Sequence, residues 1–306
     1  MLLLDNLFAA PLKEPLKHIS LALDWTPNTH HTGFYVALDK NYYKDVGLDL
    51  HIVLPKGVSP LFLIAQKKTE FAVSFAFDIA KAQDQGLPVS YLAGLLEKNT
   101  ACFAWRKSSQ IKTPKNWENK RFVGLGTPDE FALIEDIMER YQGDVKKVKF
   151  ISSSYPDFVK MTEKEADFLL IFEGWELIHA KSLKIPYDKL CLRDVAPHFK
   201  HPSPLLVTHK DQDPVLIKKF LLATKKGYEF SKKFPKESLM SLLKFAPELK
   251  NGFISHSQDF MSQYYGSPWG CESPKKWVPF MNWMFQKKII QRVMDFPLNN
   301  STLPCL

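Results

Sequence analysis

Cysteine is scarce in this chain and never close-set: Cys102, Cys191, Cys271 and Cys305 are spread over 306 residues. No CxxC pair and no His/Cys spacing of a zinc or redox motif occurs, so the sequence gives metal binding no support. The four thiols stay open between buried cysteines and disulfide partners. Long apolar runs are missing too, since no stretch reaches the ~18–20 residues that a membrane-spanning helix requires. There is no GxSxG nucleophile elbow, which removes a common hydrolase reading. The three-glycine dinucleotide fingerprint and internal repeats of short period are also absent. The positive excess, 41 Lys and Arg against 33 Asp and Glu, is dispersed through residues 107–120, 146–149 and 225–236. Such scatter reads as solvated helix faces and argues against nucleic-acid binding.

What is present is a chain 45% hydrophobic, long enough to bury a core and to form two lobes. Leu2–Leu4 followed by DNLFAAP resembles the tail of an apolar signal segment with a small-residue cleavage region, although the basic start is missing. The expectation is therefore periplasmic if Met1 lies within or after a signal peptide; the alternative is an apolar extension of a cytoplasmic protein.

Periodicity organises the rest. Ile19–Leu23 reads as a buried strand, 32–46 as a helix closed by Gly47, and 48–54 as an alternating strand. A second unit follows, with helices at 59–67 and 78–85 and strands at 71–75 and 89–95. Residues 101–106 read as a strand entering a second lobe, where strands at 121–124, 148–151, 167–172 and 187–192 alternate with helices at 130–141 and 155–164. A strand at 205–209 returns the chain, and helices at 218–230, 236–245, 257–264 and 275–293 complete it. This order predicts two α/β lobes with open, largely parallel sheets and a ligand cleft between them. The expected division is 18–100 for the first part of lobe 1, 101–204 for lobe 2, and 205–306 for the return to lobe 1 and the C-terminal helices.

Four loops at strand ends carry the candidate site. In LALDWTPNTHHTG, polar groups from Asp24 to Thr32 crowd around Pro27: Trp25 offers a flat face for a planar ring, Asn28 both donates and accepts, and His30 and His31 add hydrogen bonds near neutral pH. The plainer alternative is that Trp25 packs on the sheet edge, the histidines lie at the surface, and Thr29 or His30 caps the next helix. Ser74 and Asp78 follow the strand at 71–75 and share its mouth with Phe75, though Asp78 also suits a helix start. In VGLGTPDE, Gly126 and Thr127 precede a helix N-terminus suited to an anion or carbonyl oxygen, while Thr127, Pro128 and Glu130 equally form a capped helix start. In FEGWE, Glu173 is the candidate acceptor for an exocyclic amine and Trp175 a second aromatic wall; a glycine turn with a solvated Glu173 is the alternative.

With DWTPNTHHTGFYVA, YYKDVGLDL, GLPVSYLAGLL and FEGWE in order, the chain resembles the thiamine-pyrimidine branch of the periplasmic binding-protein superfamily over 19–209. That branch holds binding proteins for formylaminopyrimidine, which feed ABC importers, and thiamine pyrimidine synthases. The resemblance implies a type II periplasmic-binding-protein fold, an α/β protein of two lobes. It also implies a thiamine-precursor pyrimidine as ligand, an ABC permease as partner, a monomer and no resident cofactor. Synthase members hold pyridoxal phosphate through a lysine and consume a histidine; those positions fall on Ser74 and Asp78 here, and neither can do that chemistry. Their cysteine cluster is replaced by APHFKHPSPLL at 196–206. The departures favour binding over synthesis. A sulfonate or another small solute in the same fold is the remaining alternative.

Overall fold

The computed structural model describes residues 15–54, 57–153, 157–250, 252–271 and 274–293. The N-terminal apolar run, Cys305 and the expected helix start at Tyr155 lie outside them. Lobe 1 opens with β1 (Lys17–Ala22), α1 (Thr32–Asp39), β2 (Leu48–Val53), α2 (Pro60–Ala65), β3 (Phe71–Ser74), α3 (Ala76–Asp84) and β4 (Val89–Gly94). Lobe 2 contains β5 (Ala101–Arg106), β6 (Arg121–Gly124), α4 (Pro128–Arg140), β7 (Lys149–Ser152) and α5 (Phe158–Lys164). It continues with β8 (Phe168–Phe172), α6 (Ile178–Ser182), β9 (Tyr187–Cys191) and α7 (Leu192–Val195). The chain returns through β10 (Leu205–His209) and ends in α8 (Pro214–Lys233), α9 (Pro235–Phe245), α10 (Ile254–Ser262) and α11 (Val278–Gln286).

The sheets run β2-β1-β3-β10-β4 and β7-β6-β8-β5-β9. Two lobes are present as expected, but the sheets are mixed rather than largely parallel. β10 enters the first antiparallel to β3 and β4, and β5 enters the second antiparallel to β8 and β9. Each inserted strand follows a crossing between lobes, so it approaches its sheet from the opposite end. The expected helix 32–46 also breaks early. Asn41 takes φ +58°, a left-handed geometry that asparagine tolerates, and a separate 3-10 turn follows at Lys44–Val46.

The fully buried β3 sits between β1 and β10, and Phe71 stacks on Phe220 of α8 with ring centroids 3.7 Å apart. A continuous apolar cluster crosses from Ala72, Ile79 and Tyr91 in lobe 1 to Phe103, Phe122 and Phe168 in lobe 2, joined by Phe280 and Trp283 of α11. The two crossings lie side by side: Leu95 donates to the carbonyl of Pro204 at 2.9 Å. In lobe 2, Cys102 and Cys191 face each other across β5 and β9 and form a buried disulfide that closes 89 residues. This resolves the state of two of the four thiols.

Candidate ligand-binding cleft

β1 delivers the chain to a loop that the C-terminal helices clamp from below. Asn28 caps a 3-10 turn at Thr29–His31: its Oδ1 accepts from the His30 amide at 2.8 Å, so Asn28, not Thr29 or His30, is the cap. His31 points inward. Its Nδ1 accepts from the Asn28 amide at 3.3 Å, which leaves Nε2–H to donate to Asp24 at 2.7 Å. Burial works against an ionised Asp24, but the attraction and hydrogen bond of His31 outweigh it and hold the carboxyl below its usual range. From α8 and the segment after α10, Tyr228 donates to the carbonyl of His30 at 2.8 Å and Tyr265 to that of Thr29 at 2.5 Å. These bonds leave Trp25 outermost, 44% exposed.

In lobe 2, β6 leads into the glycine turn before α4. Gly126 adopts φ +77°, which favours glycine. The Glu130 side chain reaches back to this turn and accepts from three amides: Leu125 at 2.9 Å, Gly126 at 2.8 Å and Thr127 at 3.3 Å. Thr127 and Glu130 adopt the capping-box arrangement at the start of α4, with the Thr127 Oγ1 buried.

β8 ends in a π-helical turn, Glu173–Leu177. Gly174 packs so tightly on α10 that an added Cβ would lie 2.1 Å from the Met261 sulfur, and its carbonyl accepts from Ser257 at 2.5 Å. Glu173 turns away from the cleft. Its carboxylate pairs with Lys189 and, at 2.8 Å, with Arg193, which also donates to the carbonyl of Asn99 at 3.1 Å in the first crossing. Glu176, three residues on, faces the cleft instead. Its Oε2 accepts from the Phe172 amide at 3.0 Å, and burial pushes the carboxyl up to about 7.

These loops enclose a cavity of about 340 Å³, within the range of small-molecule sites. Of the residues singled out in the sequence, Trp25, Asn28, Asp78, Thr127 and Trp175 line it. His31, Ser74, Gly126 and Glu173 do not: His31 braces the loop from beneath, Ser74 lies in β3 opposite Leu205, Gly126 shapes its turn, and Glu173 belongs to the hinge. The expectation that Glu173 points into the cleft is therefore replaced by Glu176. Phe75 of lobe 1 and Phe172 of lobe 2 stack across the cavity at 5.4 Å.

The sequence assigns no ligand role to Lys81, Glu176 or His201, counts Asp24 only as one polar group of the first loop, and leaves His30 open between a ligand hydrogen bond and a cap or surface residue; all five line the cavity. His30 and His201 are buried, and the Nε2 of each lacks a partner. Burial lowers both to about 4, so both are neutral at physiological pH. In His201 the Nδ1–H donates to the Pro202 carbonyl at 2.8 Å, which makes Nε2 an acceptor, buried where the ring packs on Trp277 and Phe280. Lys81 bridges the lobes, 3.2 Å from Asp78 and 2.9 Å from Asp129. Burial alone would lower its pKa, but the two aspartates raise it above the ordinary value and the amine stays protonated.

The cleft thus combines aromatic faces, neutral imidazoles and carboxylates, an arrangement suited to a small, flat, hydrogen-bonding molecule. The chain is 23% identical to the formylaminopyrimidine-binding protein of Halalkalibacterium halodurans, covering 89% of this chain and 86% of that one. It is 25% identical to a 4-amino-5-hydroxymethyl-2-methylpyrimidine phosphate synthase of Saccharomyces cerevisiae, covering 78% and 74%. Among solved structures, the periplasmic aliphatic sulphonate binding protein SsuA of Escherichia coli superposes with a TM-score of 0.70 at 10% identity, over 92% of this chain and 90% of that one. This last likeness concerns the fold alone, that of periplasmic binding proteins. Residues 28–238 match the family described as NMT1/THI5 like, and the protein belongs to that family.

Proposed function

We propose that this protein binds a thiamine-precursor aminopyrimidine, of the formylaminopyrimidine or hydroxymethylpyrimidine type, and presents it to an ABC permease outside the cytoplasm. The observation that carries the reading is the pairing of an exposed aromatic face, Trp25, with a desolvated carboxyl, Glu176, in one cavity. A 4-aminopyrimidine needs a stacking surface, an acceptor for its amino group and partners for its ring nitrogens. Trp25 and Trp175 supply the surface, Glu176 accepts from the amine, and His30, His201 and Thr127 of the same walls meet the remaining polar groups. Asn28 and Asp78 complete the lining, and closure of the lobes seats the ring.

The name of the Halalkalibacterium relative supports the ligand class. The buried disulfide supports an oxidising compartment, where such bonds persist. The synthase reading fares worse, since the one lysine among the described cavity residues is protonated between two aspartates and cannot attack a carbonyl in that state. Calorimetric titration with formylaminopyrimidine, its hydroxymethyl relative and a short alkanesulfonate tests the proposal. One-to-one binding of a pyrimidine at micromolar affinity or better supports it; binding of the sulfonate alone would sink it.

A further inference from the structure

The glycine turn before α4 presents three converging amides at a helix N-terminus, an arrangement that elsewhere cradles phosphate or sulfonate oxygens. Here those donors are already taken. Both Glu130 oxygens lie on them, at 2.8–3.3 Å from Leu125, Gly126 and Thr127. The carboxylate fits because residue 124 is glycine: a Cβ there would stand 2.7 Å from Glu130 Oε1. Independently, Lys81 is the only lysine or arginine among the described residues lining the cavity, and it is neutralised by Asp78 and Asp129. Asp24, Glu130 and Glu176 add further acidic groups to the same walls.

We infer that Glu130 is a built-in anion that closes the cleft to phosphorylated and sulfonated ligands, so that only the unphosphorylated pyrimidine is accepted. This deepens the binding reading above and rests on it for the identity of the ring, while the closure of the amide turn stands on its own geometry. An incoming phosphate monoester would have to displace Glu130 from its three donors and then share the walls with the remaining carboxylates. Repulsion of that kind between like charges at an interface is costly.

The test compares wild type, Glu130→Ala and Glu130→Gln, the last keeping the side-chain shape while removing its charge. Melting is followed with inorganic phosphate as probe, and affinities are measured for hydroxymethylpyrimidine and its phosphate monoester. Wild type should show no stabilisation by phosphate and should prefer the alcohol over its ester by about a hundredfold or more. Glu130→Ala should gain a phosphate-dependent rise in melting temperature and narrow that preference by about tenfold or more, with Glu130→Gln between the two. Phosphate stabilising wild type as much as the variants, equal wild-type affinity for alcohol and ester, or no gain in either variant would each overturn the inference. Failure of both pyrimidines to bind contradicts the proposed ligand instead, and the phosphate melting curves still decide the role of Glu130.

Discussion

Glu173 and Glu176 stand on the same π-helical turn, yet one faces the hinge and the other the cleft. Glu173 is compensated by two cations and linked through Arg193 to the crossing at Asn99. Glu176 has no cation beside it among the ion pairs of the described residues; backbone amides are its partners, that of Phe172 at 3.0 Å, and burial raises its carboxyl to about 7. The difference teaches what makes a carboxylate available. A buried carboxylate with cations in place is a structural brace, because removing any partner strands a charge. One desolvated without a cation retains unmet affinity for a donor, and a ligand amine can meet it.

The strongest way to break the hinge side is to cut its support. Cys102→Ser with Cys191→Ser removes the covalent tie between β5 and β9, the strand that carries Lys189, and leaves only their antiparallel pairing. Denaturant unfolding should show a loss of about 2–5 kcal/mol, as for other native disulfides; an unchanged midpoint would contradict a bracing role. Glu173→Gln removes the anion between Lys189 and Arg193. Its expected cost is roughly 2–3 kcal/mol, below the usual range for a broken buried pair because Lys189 is well exposed.

On the cleft side, Trp25→Ala should weaken pyrimidine binding by about tenfold or more with little change in stability, since the ring is largely outside the core. Equal affinity in this variant would exclude stacking on Trp25. The smallest effect is a pH signature. The Glu176 carboxyl is raised in the folded state, so its contribution to stability is full below the ordinary value of 4.5 and is lost as pH rises through about 7. Glu176→Gln does not titrate, and its melting temperature should gain on wild type between about pH 5 and about pH 8. A constant difference across that range would place the titration elsewhere.

Much of this was legible in the sequence because strand alternation and helix caps are local. Alternation alone bounds β5 at 101–106 and β10 at 205–209, and Thr127 with Glu130 marks the capped start of α4. Pairing direction was not legible, because an inserted antiparallel strand has the same side-chain period as its parallel neighbours. Periodicity overextends the helix from Thr32 because the left-handed geometry at Asn41 leaves no periodic trace.

Side-chain aim was the hardest to read. In HHT the 3-10 turn sends His31 under the loop and His30 to the cavity. In FEGWE the wider π turn gives Glu176, not Glu173, to the cleft. His201 reaches the same cavity from the second crossing, far from the first loop in sequence.

The most direct test sets these two carboxylates side by side: the affinities of Glu173→Gln and Glu176→Gln for formylaminopyrimidine, measured on folded protein at one pH near 8. Loss of a charge-assisted hydrogen bond, about 1.5–3 kcal/mol, predicts a fall of roughly tenfold to more than a hundredfold for Glu176→Gln. Glu173→Gln should bind within a few-fold of wild type. The reverse ranking, with Glu173→Gln losing the ligand and Glu176→Gln retaining it, would contradict the account.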